Sequence, residues 1–155
     1  MAAIRFMTAG DIDALLKLAA ETPEAPDWDR AAYEYTLVGN DEQATFRAAW
    51  VAVNGADLLG FAVAHLIGEI CELESIVVAR STRRKGIGKA LLDGVIGWAL
   101  AAGARKIQLE VRAANESAIA FYAHAGFLTE GLRPGYYRNP DEDAVLMGKP
   151  LFSGD

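Results

Sequence analysis

The 155-residue sequence predicts an α/β fold of the mixed α+β kind, one mixed sheet of about seven strands carrying four main helices. Two observations lead there. Extended and helical patterns follow one another in the order β-α-α-β-β-β-α-β-α-β-β, which joins a meander to crossover helices. Asn54-Gly55, set between two runs rich in β-branched and aromatic residues, marks an antiparallel hairpin inside that order.

Residues 3–7 alternate as a short strand. Thr8 then stands where a helix N-cap belongs, with Asp11 three residues on and Ile12, Leu15 and Leu16 following, so the first helix is expected over 9–20. Pro23 and Pro26 break the chain. Asp27 can cap a second helix with Trp28 in its first turn, and Gly39-Asn40 suits its left-handed stop. Residues 45–53 and 58–66 are the hairpin strands. Residues 70–79 form the next strand, alternating at Cys71, Leu73, Ser75 and Val77 before the apolar run Ile76-Val77-Val78. From 86 to 102, Ile87, Ala90, Leu91, Val95, Trp98, Ala99 and Ala102 recur with a helical period, closed by Gly103; this is expected to be the longest helix. Residues 106–111 alternate as a strand, Asn115 can cap a helix through Ala125, and Gly126-Phe127 opens an extended segment. The last strand is expected over 144–147, with Pro150 after it.

Hydrophobic residues make up 52% of the chain and charged residues 23%, the balance of one globular unit, so residues 1–155 are expected to form a single domain. A chain of ~150 residues buries roughly 68–70% of its unfolded surface and needs no disulfide or metal to stay folded. Cys71 is the single cysteine and His65 and His124 the two histidines, so neither an internal disulfide nor a zinc cluster is expected. The longest uncharged run, 117–129, has 13 residues, too few for a membrane span. No leader is evident in the first six residues, and a cytoplasmic, reduced protein is expected. The net charge of −6 argues against nucleic acid as a partner. Against that acidic background, Arg80, Arg83, Arg84, Lys85 and Lys89 form a basic island with no acidic residue from 79 to 92.

The island follows the strand Glu74-Ser75-Ile76-Val77-Val78 and opens the long helix through Arg83-Arg84-Lys85-Gly86-Ile87-Gly88-Lys89. Glycines let a ligand approach the backbone, and exposed N–H groups at a positive helix end attract phosphate. The pattern reads as a pyrophosphate cradle. It is neither a P-loop nor the glycine fingerprint of a dinucleotide fold, which disfavours ATP and NAD. On spacing alone, a solvated basic turn with ordinary helix-entry glycines explains the same residues.

Arg83-x-x-Gly86-x-Gly88 resembles the Q/R-x-x-G-x-G/A signature of the GNAT N-acetyltransferases, whose turn holds the pyrophosphate of acetyl-CoA. Leu109-Glu110-Val111-Arg112-Ala113-Ala114-Asn115, then Ala118-Ile119-Ala120-Phe121-Tyr122 and Gly126-Phe127, is similar to the corresponding series of the bacterial ribosomal-protein alanine N-acetyltransferases (RimI type). Tyr136-Tyr137 and Glu142-Asp143-Ala144 match that branch as well. The resemblance is close over 73–150. Pro26-Asp27-Trp28 is similar to the branch's entry into its second helix, whereas 45–72 match only in pattern.

The resemblance implies a sheet whose two central parallel strands splay around acetyl-CoA, and direct acetyl transfer to an amine without an acyl-enzyme. The family's general base maps to Glu110, where a partly buried carboxylate with a raised pKa would take the amine proton. The competing reading pairs Glu110 with Arg112 or Arg133. The family's acid maps to Tyr122, whose hydroxyl would meet the leaving thiolate; a packed helix tyrosine explains the same residue. The cofactor-binding set is Ile76, Val77, Val78, Arg83, Arg84, Lys85, Gly86, Ile87, Gly88, Lys89 and Asn115, the last doubling as N-cap. Trp28, Tyr136 and Tyr137, with Tyr33, are candidates for an acceptor groove, and Glu24, Asp27, Asp29 and Glu34 would favour a cationic partner; core packing and a solvated helix face are the plainer readings. Cys71, His65 and His124 are read as structural. The acceptor is expected to be a protein N-terminal amine. The alternatives are a small amine and a non-catalytic CoA-binding sensor.

Overall fold

Seven strands form one sheet in the order β1-β2-β3-β4-β5-β7-β6 in the computed structural model, which describes residues 2–23, 25–38, 45–138 and 140–152. The strands are β1 (Ala3–Phe6), β2 (Thr45–Asn54), β3 (Asp57–Ile67), β4 (Ile70–Val78), β5 (Lys106–Arg112), β6 (Leu128–Tyr137) and β7 (Glu142–Pro150). Four helices, α1 (Ile12–Ala20), α2 (Arg30–Val38), α3 (Ile87–Ala101) and α4 (Glu116–His124), cover it among the described residues. Every neighbouring pair runs antiparallel except β4 with β5, the mixed sheet the element order predicts.

The two faces carry separate cores. Beneath α3 and α4, Leu91, Val95, Ala99, Ile107, Phe127 and Met147 are buried together, and Ile119 and Phe121 pack against them. On the opposite face Ile12 and Leu15 of α1 and Tyr33 of α2 meet Val51, Phe61 and Val63. Burial of this apolar area is the main stabilising term for both layers.

The strand ends and helix entries differ from the sequence expectation in specific ways. A 3-10 turn, Ala9–Asp11, precedes α1. There Asp11 accepts from Thr8 N at 2.7 Å and from both Arg5 Nη1 and Nη2, at 2.7 and 2.9 Å. The cap of α2 is Asp29, whose Oδ1 accepts from Ala32 N at 3.0 Å, rather than Asp27, so Trp28 precedes the helix instead of lying in its first turn. The expected stop at Gly39-Asn40 lies outside the described residues. β7 runs past Met147 to Pro150, which ends the strand opposite Lys106, a terminal position where a missing N–H is tolerated.

Two departures from regular pairing shape the site. In β4, Val63 faces Ser75 while Ala64 faces Leu73, leaving Glu74 as an extra residue, a β-bulge. Side-chain parity therefore flips. Cys71 and Leu73 point to the α3 core, as do Ile76 and Val78, whereas Val77 joins the α1 core. The uniform alternation from Cys71 to Val77 expected from sequence is corrected by that one residue. Second, β4 and β5 pair only at Ile70–Lys106, Cys71–Ile107 and Glu72–Gln108. Past that point β4 pairs with β3 alone and β5 with β7 alone, so the parallel strands part.

The Arg5 fork holds the Asp11 carboxyl down at about 2, against the usual carboxylate value. Because the folded value is the lower one, this stabilisation is complete above about pH 4 and is lost as pH falls toward about 2. Urea unfolding across that window is expected to show a shallower loss of stability for Asp11→Asn than for the parent chain.

Candidate active site

The entry to α3 is built to leave donors unspent. Gly86 caps the helix at φ +79°, Arg84 lies at φ +67°, and both left-handed residues fold the turn back beneath the helix end. The turn is tied to the strand by Arg83 Nε, which donates to Val78 O at 3.3 Å. The helical ladder begins with Ala90 N donating to Gly86 O at 3.0 Å, so the preceding N–H groups of Ile87, Gly88 and Lys89 have no helical acceptor. At Gly88 a Cβ would lie 3.4 Å from the Phe121 ring and 3.7 Å from Val78, so the absent side chain keeps the space between α3 and α4 open.

That space is a groove of about 860 Å³. Ile76, Val77 and Val78 form one wall, Arg83, Arg84 and Gly86 to Lys89 the end, and Asn115 and Tyr122 of α4 the other wall. Of the cofactor-binding set drawn from sequence, Lys85 is exposed and stands outside the lining. Thr22, Ser117, Phe121 and His124 line the groove without having been marked in the sequence. Phe121 and Ser117 had a signal in their helical neighbourhood to Tyr122 and Asn115; Thr22 had none, since it arrives from the end of α1. His124, read from sequence as structural, is exposed at the groove edge.

Tyr122 is buried, its ring edge-on to Phe121 at 5.1 Å and to Phe127 at 5.5 Å, with the groove beside it. Burial, and then the neighbouring Tyr137, push its phenol well above the usual tyrosine range, so the hydroxyl keeps its proton at neutral pH. Asn115 Oδ1 accepts from Ala118 N at 3.2 Å and from Ser117 Oγ at 3.3 Å, which confirms its capping role.

Glu110 lies on β5 beyond the last β4–β5 pair. It faces away from Leu109 and Val111, whose side chains fill the α3 core. Its Oε1 is 3.6 Å from Arg133 Nη1, while Oε2 is buried with no hydrogen-bond partner. Hydrogen bonding to this carboxylate, followed by burial, raises the Tyr136 phenol above its ordinary value. Tyr137 is pushed up to about 12, first by burial and then by Glu110. Of the two arginines the sequence offered as partners, Arg133 approaches Glu110 and Arg112 turns away. Arg112 donates to Arg138 O, Pro140 O and Glu142 Oε1 and lies 4.4 Å over the Tyr137 ring.

Tyr136 and Tyr137 stand together beside Glu110, their rings 5.1 Å apart. Trp28 lies between Tyr33 at 5.2 Å and the Arg47 guanidinium at 5.6 Å. Tyr33 itself is fully buried against Phe61 and belongs to the core. Asp27, Asp29 and Glu34 are exposed, and Glu24 lies outside the described residues. No group of three or more His, Cys, Asp or Glu side chains among the described residues is placed to hold a metal ion.

The acetyltransferase (GNAT) family profile matches residues 12–127. An uncharacterized Mycobacterium leprae protein is 33% identical over 147 residues, covering 91% of this chain and 38% of that protein. The Escherichia coli [ribosomal protein bS18]-alanine N-acetyltransferase is 35% identical over 96 residues, 61% of this chain and 65% of that enzyme. These first two relatives are thus matched over less than two thirds of their length. The Mycobacterium tuberculosis N-alpha-acetyltransferase RimI is 32% identical over 155 residues, 96% of this chain and 91% of that protein. Among solved structures, the E. coli ribosomal-protein-S18-alanine N-acetyltransferase superposes with a TM-score of 0.83 at 26% identity, covering 100% of this chain and 97% of that one.

Proposed function

The chain belongs to the acetyltransferase (GNAT) family, and from that premise we propose that it transfers the acetyl group of acetyl-CoA directly to the N-terminal α-amine of a protein, as a ribosomal-protein type N-acetyltransferase. The observation that carries the reading is the parting of β4 from β5. It opens the sheet between a groove with a protonated phenol, Tyr122, and a carboxylate with a buried, unpartnered oxygen, Glu110.

The residues present fit the donor. Acetyl-CoA, the acetyl donor of the family, supplies an acetyl group activated as a thioester. The unspent N–H groups of Ile87, Gly88 and Lys89, with Arg83 and Arg84 at the same end, match a pyrophosphate. The β5-side edge of Ile76 to Val78 is unpaired and can bond an amide-bearing arm as a strand would, with Asn115 opposite. Glu110 accepts the proton of the attacking ammonium, and Tyr122 donates toward the departing sulfur. Tyr136 and Tyr137 form the acceptor wall beside Glu110.

Residues 1–155 act on this reading as one transferase domain in the cytoplasm. The charge of −6 opposes nucleic acid and suits a cationic acceptor segment. Among the described residues, no helix is long and apolar enough to cross a membrane.

Calorimetric titration with acetyl-CoA, followed by thiol-release assays, tests the proposal. Binding is expected, with turnover on a peptide carrying an N-terminal alanine and basic residues behind it. Turnover restricted to small amines overturns the acceptor assignment, binding without turnover on any amine favours a sensor, and absence of binding overturns the whole reading.

A further inference from the structure

The hairpin that presents Tyr136 and Tyr137 is held by side chains more than by its own ladder. Between the pairs Arg133–Ala144 and Tyr137–Glu142, three residues of β6 stand opposite one of β7. Backbone pairing therefore leaves Tyr136, whose phenol is raised by the Glu110 carboxylate, without a register partner. Arg112 closes that gap. Its Nη1 donates to Pro140 O at 3.0 Å and to Glu142 Oε1 at 3.2 Å, and its Nη2 donates to Arg138 O at 3.1 Å. Tyr137 lies beneath the same guanidinium.

Glu142 then extends the tie. Its Oε2 accepts from Ala114 N at 2.5 Å, one residue before the Asn115 cap of α4. Asp143 adds a parallel link, with Oδ1 accepting from Gly135 N at 2.8 Å and its carbonyl accepting from Ala113 N at 3.0 Å. One network thus joins the end of β5, the turn between β6 and β7, and the entry to the helix that carries Tyr122.

Resting on the proposed transferase reading, we infer that Arg112 is a positioning residue for the acceptor: it holds the Tyr136-Tyr137 wall in register with Glu110 and, through Glu142, with the start of α4. The task needs a planar fork. Two carbonyls, a carboxylate and a ring face are engaged by one group, which a lysine ammonium cannot reproduce.

The test compares Arg112→Lys and Arg112→Gln with Lys106→Gln, which breaks the exposed Lys106–Glu130 pair on the same strand. In the Arg112 variants the KM for the peptide acceptor is expected to rise about tenfold or more, with the KM for acetyl-CoA within about twofold of the parent. Lysine is expected not to rescue, and Lys106→Gln to leave both constants unchanged. Arg112→Gln and Glu142→Gln are expected to be non-additive, since they cut one network.

A second readout needs no substrate. Hydrogen exchange over the β6–β7 hairpin is expected to quicken in both Arg112 variants while α3 exchanges as before. An unchanged hairpin together with an unchanged peptide KM overturns the inference, as does a parallel loss of both affinities with the melting temperature, or full rescue by lysine. If the parent chain acetylates no amine, the transferase reading fails by itself. Exchange then still decides whether Arg112 holds the hairpin.

Discussion

Glu110→Gln is expected to lower kcat/KM for an N-terminal peptide by about 10²–10⁴-fold at neutral pH, the range that general-base catalysis supplies. The substitution is close to isosteric and keeps a polar group beside Tyr136, but an amide cannot take a proton from an ammonium. It also gives up the 3.6 Å approach of Arg133, whose side chain is 54% exposed, so little stability is lost with it. Acetyl-CoA affinity is expected to stay nearly intact, because Glu110 is not among the residues lining the groove. The deficit has a direction with pH. A peptide α-amine loses its proton near pH 8, so the fraction already able to attack climbs about tenfold per pH unit below that point. Rates measured from pH 6 to 9 should therefore show the variant converging on the parent as pH rises. Parallel profiles at all pH values would remove Glu110 as the base.

Tyr122→Phe is expected to reduce turnover by about 10²-fold with acetyl-CoA affinity little changed, the usual cost of deleting one donor aimed at developing charge. Phenylalanine keeps the ring contacts with Phe121 and Phe127, and no protein partner of the hydroxyl is orphaned in that packing. Thermal unfolding should thus move little, which separates a chemical loss from a folding loss. Because burial holds the phenol far above its usual range, no limb of the parent's pH profile between 6 and 9 is expected to belong to this group. Full activity in the variant would end its assignment as the acid.

Much of this architecture is legible in local pattern. The Asn54-Gly55 hairpin, the helical rhythm from Ile87 to Ala99 and the Asn115 cap each rest on neighbours within a few residues, and all three stand in the structure. The groove is legible for the same reason, since its basic turn is one contiguous stretch. What escaped depends on distant segments. Asp27, read as the cap of α2, gives way to Asp29 two residues on, whose carboxylate reaches Ala32 N. Arg112 and Arg133 compete for Glu110 equally in sequence, yet Arg112 shares a strand face with it and is drawn off by the carbonyls at 138 and 140. Arg133 arrives from β6 across β7. Tyr33 carries no local mark of core or surface, and only the packing of α2 on Phe61 buries it. The bulge at Glu74 adds one residue with no compositional signature.

That single residue decides where β4 can change in length over time. With Glu74 gone, the pairs Val63–Ser75 and Ala64–Leu73 would stand consecutively, so Ser75 and Val77 would keep the α1 face while Ile76 and Val78 kept the α3 face. The bulge is thus a spare residue, and one loss between Leu73 and Ile76 removes the local kink without disturbing the pattern. A second loss there would turn Ile76 and Val78 toward α1.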